Sequence, residues 1–259
     1  MLAYRSGIFP MSDSRDDPEV FWIEPRLRAV IPLDNLHVSH SLARSLRRGR
    51  FRVTCNAAFS QVMDACAAPR PVHPDADDED EDEGGSWISH RIQKSYEQLH
   101  ELGLAHSIEC WRDGDDGFPE LVGGLYGVGF DRAFCGESMF STASDASKVA
   151  LCWLVAALNY AGATLLDCQF MTSHLASLGA VEMPQAEYLV RLKAAQSGTV
   201  SSSGTTSGSG AASTSGVADS LGAAVALPAG FAALLEDAAS SGLASSPGKF
   251  ISQFFTQTS

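Results

Sequence analysis

Leu121-Val-Gly-Gly-Leu-Tyr-Gly-Val-Gly-Phe-Asp-Arg-Ala-Phe-Cys-Gly-Glu-Ser-Met-Phe-Ser141 reads as two strands and the turn between them. The runs Leu121–Phe130 and Arg132–Phe140 are apolar and β-prone, and Gly129-Phe-Asp131 joins them tightly. A third such run, Ala105–Trp111, precedes them across an Asp/Gly-rich turn, so an antiparallel meander is expected. Upstream, Trp87–Leu102 carries helical periodicity through Ile88, Ile92, Tyr96 and Leu99 and stops at Gly103. Downstream, the polar segment Ser141–Asp145 leads into a helix over Ala146–Ala161, with Ser144 as N-cap and Gly162 as stop. Leu165–Phe170 is the next strand, and His174–Leu178 a short helix ending at Gly179. Helix, three strands, helix, strand, helix describes one α/β domain with a mixed sheet.

The flanks are more varied. Residues 1–67 hold a turn around Ile8-Phe-Pro10, a strand at Arg28–Ile31, a helix over Ser39–Arg48 stopped by Gly49, a strand at Phe51–Cys55 and a helix over Ala57–Ala67. They read as a small N-terminal α+β domain. Residues 68–86, rich in Pro, Gly and acids, cannot bury a core and read as a disordered loop. Residues 87–196 form the main domain and 197–222 a Ser/Gly-rich linker. The tail, 223–259, is expected to hold a short helix at Phe231–Ala239 and carries no chemical signal.

The net charge of −13 conceals two opposed features. Eight acids fall between Asp75 and Glu83, leaving about −5 for everything else. His40–Arg52 contains Arg44, Arg47, Arg48, Arg50 and Arg52 and no acid, which reads either as a solvated helix face or as a phosphate-binding patch. The longest apolar run, Val149–Leu158, is too short to span a bilayer and fits a buried helix. Met1-Leu-Ala-Tyr-Arg lacks an apolar signal core, and the six cysteines show no C-x-x-C spacing. A cytoplasmic protein with reduced thiols is expected, without membrane or metal.

Two polar intrusions interrupt these apolar runs: Glu137, and the pair Asp167 and Gln169. Two residues apart on a strand, Asp167 and Gln169 face the same side. Burying such groups costs several kcal/mol unless each is hydrogen-bonded, so these three residues are the first candidates for chemistry.

The motifs Gly7-Ile-Phe-Pro10, Pro25-Arg-Leu-Arg-Ala-Val30, Tyr96-Glu-Gln-Leu-His-Glu-Leu-Gly103, Ala105-His-Ser-Ile-Glu-Cys-Trp111, Phe134–Ser141, Ala146-Ser-Lys148, Leu166-Asp-Cys-Gln169 and His174–Ala180 resemble those of the bacterial leucyl/phenylalanyl-tRNA–protein transferases. The resemblance runs from about Leu2 to Leu189, apart from the acidic loop. It implies an acetyltransferase-like (GNAT-like) α/β domain beside the N-terminal one. It implies transfer of Leu, Phe or less readily Met from aminoacyl-tRNA to proteins beginning with Arg or Lys, which are then degraded by the Clp system. No cofactor is implied, because the aminoacyl ester is already activated, and a monomer is expected.

By the same resemblance Asp167 and Gln169 are central to catalysis and Glu137 lies near the reacting amino groups; which of the three takes the proton stays open. Leu125, Phe134, Met139, Leu154 and Leu166 match a side-chain pocket, with Ser141 at its rim. The unbranched Met139 suits a pocket that accepts several side chains. The five arginines match a cluster used on the tRNA acceptor stem, and Tyr4 and Trp87 match positions around the terminal adenosine, where an aromatic face can stack a base. The chain departs from the family in three ways: it starts at Met1-Leu-Ala-Tyr without the usual preceding Gly-Gly-Asp-Leu element, as if truncated; Met11 replaces a tryptophan; and the acidic loop and tail are added. Two rivals remain: an acyl-CoA-dependent acyltransferase, disfavoured because Ser141–Asp145 has an acid and no glycine to cradle a pyrophosphate, and a non-catalytic tRNA-binding relative.

Overall fold

The hairpin quoted above is the centre of a seven-stranded sheet. A computed structural model describes residues 1–69, 86–114, 117–197 and 224–257. The acidic block and nearly all of the Ser/Gly-rich linker lie outside the described residues. From the N-terminus come α1 (Leu2–Arg5), β1 (Phe9–Met11), β2 (Phe21–Ile23), β3 (Leu27–Ile31), α2 (His40–Arg48), β4 (Arg52–Cys55) and α3 (Phe59–Ala67). Then follow α4 (His90–Glu101), β5 (Ala105–Asp113), β6 (Pro119–Phe130), β7 (Ala133–Ser141), α5 (Ala146–Tyr160), β8 (Leu165–Gln169) and α6 (Ser173–Ala176). The described chain closes with β9 (Val181–Pro184), α7 (Gln185–Ser197), α8 (Leu227–Ser240) and α9 (Pro247–Gln257).

The sheet order is β4-β5-β6-β7-β8-β3-β9, with β1 and β2 forming a separate antiparallel pair. Every pairing in the large sheet is antiparallel except β7 with β8, which the crossover through α5 allows. The α/β class with a mixed sheet is therefore as expected. The residue-67 boundary does not interrupt it, since β3 and β4 from the first 67 residues pair with β8, β9 and β5.

Two packed layers sandwich the sheet. On one face lie α3, α4 and α7, burying Tyr4, Phe9, Phe59, Met63, Ile92, Tyr96, Tyr126 and Tyr188 with the strands. On the other lies α5, buried on all sides from Ala146 to Leu158 apart from Lys148, because α8, α9 and α2 pack over its outer surface. That explains the uninterrupted apolar run there: a helix without a solvent face needs no polar stripe.

Local signals differ from expectation in four places. The N-cap of α5 is Asp145 at φ 70°, not Ser144, and it does not cap with its side chain. Its carboxylate instead accepts a hydrogen bond of 2.8 Å from Ser45 Oγ on α2, so a tertiary partner outcompetes the local cap. The segment around Pro10 is a short edge strand and not just a turn. Strand β9 and helix α7 were not anticipated; α7 buries only Tyr188, Leu192 and Ala195, too narrow a stripe to stand out. The tail forms two helices where one short one was expected.

Candidate active site

A defect in the central hairpin places the first candidate. In the β6–β7 register Gly127 opposes Gly136 and Tyr126 opposes Ser138, so Glu137 is the extra residue of a β-bulge. Bulges re-aim a side chain, and this one turns Glu137 toward α4. Strands β7 and β8 pair over three residues only, ending at Cys135 opposite Asp167. Beyond that point Glu137, midway along β7, and Gln169, at the end of β8, stand on strands no longer joined.

Their side chains meet there. Gln169 Nε2 donates to Glu137 Oε2 at 3.0 Å, and Tyr96 Oη donates to the same oxygen at 2.8 Å. Tyr4 Oη lies 2.5 Å from Tyr96 Oη, extending the chain to α1. Glu137 Oε1 is buried without a partner among the described residues, as is the hydroxyl of Tyr126. Burial raises the Glu137 carboxyl from 4.5 to about 7, against the opposing pull of its bonds from Tyr96, Gln169 and Tyr4. A carboxyl poised near neutrality with one oxygen open can exchange a proton at physiological pH.

Asp167 is differently situated. Its Oδ1 accepts from Arg28 Nε at 3.2 Å and from the Gln169 backbone N–H at 2.9 Å. Its Oδ2 accepts from Arg28 Nη2 and from Tyr188 Oη, the latter at 3.0 Å. Both Arg28 and Asp167 are fully buried. Arg28 also donates to Gly7 O at 3.2 Å, and its guanidinium lies 4.3 Å from the Tyr188 ring centroid and 5.0 Å from that of Phe9. Burial alone would lower the guanidinium pKa; the Asp167 carboxylate more than offsets this and leaves it raised. Gln169 has φ 66°, an αL conformation uncommon for a residue with a side chain. The bond from its N–H to Asp167 stabilises that turn, which directs the amide at Glu137.

Arg28, Tyr96, Tyr126 and Tyr188 had no assigned role from sequence. Only Arg28 left a signal, a charge at the start of an otherwise apolar strand; the tyrosines read as ordinary core positions.

The pocket residues lie across the sheet. Leu125, Phe134, Leu154 and Leu166 belong to the core on the α5 face, with Met139 packed against it. Glu137, Asp167 and Gln169 reach the opposite face, bonded to Tyr96, to Tyr188 and to one another, so the sheet lies between the two sets. Ser141 sits at the α5 end of β7, where it donates to Ala143 O and accepts from Ser147 N–H.

The residues expected to contact nucleic acid are divided. Arg44, Arg47, Arg48, Arg50 and Arg52 are exposed, since α2 turns Leu42, Ala43, Ser45 and Leu46 inward. Arg47 donates to Ser252 Oγ of α9 at 3.2 Å, while Arg50 and Arg52 stand 5.6 and 5.5 Å from the ring centroids of Phe51 and Trp111. No ion pair joins any of the five to an acid among the described residues. Trp87 is half-buried beside Ser12, whose N–H donates to Trp87 O. Tyr4 is buried with its hydroxyl engaged, so its ring is not an open stacking surface. Among the described residues no helix is long and apolar enough to cross a membrane.

The mixed sheet parts between its two parallel strands, with a raised carboxyl at the split, and comparison with known proteins makes the chain an aminoacyltransferase. Residues 30–193 match the leucyl/phenylalanyl-tRNA protein transferase family, and residues 1–26 match that family's N-terminal domain. A leucyl/phenylalanyl-tRNA–protein transferase of Novosphingobium aromaticivorans is 59% identical over 100% of this chain and 95% of its own. Those of Zymomonas mobilis (53%, covering 76% and 68%) and Rhodopseudomonas palustris strain TIE-1 (49%, covering 78% and 83%) are also similar. The chain belongs to the leucyl/phenylalanyl-tRNA protein transferase family.

Proposed function

We propose that the chain transfers Leu, Phe and less readily Met from aminoacyl-tRNA to the α-amine of proteins beginning with Arg or Lys, in the cytoplasm, and that the products pass to the Clp degradation machinery. Glu137 is the residue that handles the proton. The observation that carries this is the open Oε1 of a carboxyl raised to about 7, beside an amide aimed at the same place.

An N-terminal amine has a pKa of roughly 7.7–8.0, so much of it is protonated at neutral pH. Glu137 takes a proton from the ammonium, and the freed lone pair attacks the ester carbonyl carbon. The new C–N bond forms and the acyl C–O bond to the terminal ribose breaks; the leaving oxygen recovers that proton from Glu137, and the second proton carried by the attacking nitrogen passes to solvent as the neutral amide forms. Gln169 holds the amine and carbonyl in line, an orientational contribution. Asp167, saturated by Arg28, Tyr188 and the Gln169 N–H, acts by holding Gln169 in place. The side chain of the donor amino acid passes through the split to the α5 face, against Leu125, Phe134, Met139, Leu154 and Leu166, with Ser141 at the edge. The exposed arginines hold the acceptor stem by its phosphates, which position without specifying, and Trp87 lies by the terminal adenosine.

The test is transfer of labelled Leu from tRNA to peptides beginning with Arg or with Ala. Transfer to the Arg peptide alone supports this reading. A folded protein that binds tRNA but transfers nothing would be a binding relative. The acid at the start of α5 opposes a pyrophosphate there and continues to disfavour acyl-CoA as donor.

A further inference from the structure

Val225 precedes α8 and is buried on the α5 face of the sheet. A Cβ built on Gly129 would lie 2.1 Å from Val225 Cγ1 and 3.3 Å from Phe134 Cδ2. One built on Gly127 would lie 2.4 Å from Phe134 Cε1. The Phe134 ring is therefore pressed onto bare β6 backbone, and Val225 takes the neighbouring space that a side chain at 129 would fill. Val225 is itself held firmly: its carbonyl accepts from Leu227 N–H at 2.8 Å, and α8 seats on α5 through Phe231, whose ring centroid is 5.4 Å from that of Trp153. All of these tail residues lie outside the two stretches that match the family.

We propose that Val225 is a specificity-determining residue: it backs Phe134 and so sets the depth of the aminoacyl side-chain pocket. This rests on the reading of Phe134 as a pocket wall given above. Close-packed interiors yield little, so a ring laid on bare backbone with a branched side chain over the adjoining glycine is a rigid wall. Whether leucine or the longer phenylalanine fits then depends on that wall's position. A single methylene in a hydrophobic pocket changes discrimination about tenfold or more. The tail thereby has a role in the reaction without touching the reacting atoms.

The experiment measures kcat/KM for Leu-tRNA and Phe-tRNA with an Arg-initiated peptide, in the full chain. Val225→Ala gives Phe134 room to retreat and should raise the Phe-to-Leu ratio about tenfold. Val225→Ile should lower the ratio, which keeps the test decisive if the alanine variant folds poorly. Phe231→Ala, which loosens the helix that holds Val225, should reduce the melting temperature and raise the ratio in the same direction by a smaller factor. Wild-type transfer with ratios within twofold of one another across all the variants overturns this inference alone. A folded wild type that transfers neither amino acid overturns the transfer reading, and this one with it.

Discussion

Arg28 and Asp167 form a fully buried, doubly bonded ion pair across β3 and β8, linking residues 139 apart in sequence. Tyr188 from α7 donates to the same carboxylate, and Gly7 accepts from the same guanidinium. Asp167 is therefore a cornerstone of three elements before it is a participant in any chemistry.

Breaking that pair should be costly in stability. Removing one partner leaves an uncompensated buried charge, worth about 3–5 kcal/mol. Asp167→Ala and Arg28→Met should each lose about that much in urea unfolding. The double variant Arg28→Met/Asp167→Leu should regain most of it while remaining inactive, because Gln169 loses the acceptor for its N–H. A double-variant loss equal to the sum of the two single losses would show that the charges do not stabilise each other.

Glu137 should destabilise the protein at neutral pH. Its folded pKa of about 7 lies above the ordinary 4.5, so the folded state holds the proton more tightly. Stability is then full below about 4.5, declines as pH rises through the interval to about 7, and stays low above it. The shift corresponds to about 3 kcal/mol. Glu137→Gln, which does not titrate, should melt about 5–10 °C higher than wild type at pH 8, with the difference fading toward pH 4.5, and should transfer nothing. Melting curves at several pH values measure this directly.

Tyr96→Phe should shift the acid limb of the pH–rate profile. The Tyr96 hydroxyl holds the Glu137 pKa down, so without it that pKa climbs further and the limb moves upward by about one unit. A profile of kcat/KM that keeps its wild-type position would remove Glu137 from the titrating role.

Arg44, Arg48 and Arg50 replaced together by Ala should weaken tRNA binding and flatten its salt dependence. Each lost phosphate contact takes about 0.9 from the slope of log K against log salt, so a decrease of about 2–3 is expected. Arg47→Ala should change the slope less, because its guanidinium is tied to Ser252. Filter binding across a salt series distinguishes the two.

Much of the architecture was legible because its signals are local. Gly49 and Gly162 end α2 and α5 in left-handed conformations, and Ser39 caps α2. The β6–β7 turn at Asp131 needs a positive φ and has one. What was missed is non-local. The Asp145 carboxylate follows Ser45 on another helix, and α7 carries so narrow an apolar stripe that only its docking reveals it.

The candidate site divides along the same line. From sequence alone Glu137, Asp167 and Gln169 stand out as polar groups in apolar strands, since burial of such groups is costly wherever it occurs. Their separate roles depend on partners far away in the chain: Arg28 and Tyr188 saturate one carboxylate, and a bulge with Tyr96 and Gln169 leaves one oxygen of the other open. Most of the strands and helices of the central sheet, and the polar intrusions in them, followed from the residue order. Which carboxyl can move a proton was decided by folding, because hydrogen-bond saturation and desolvation exist only once distant residues meet.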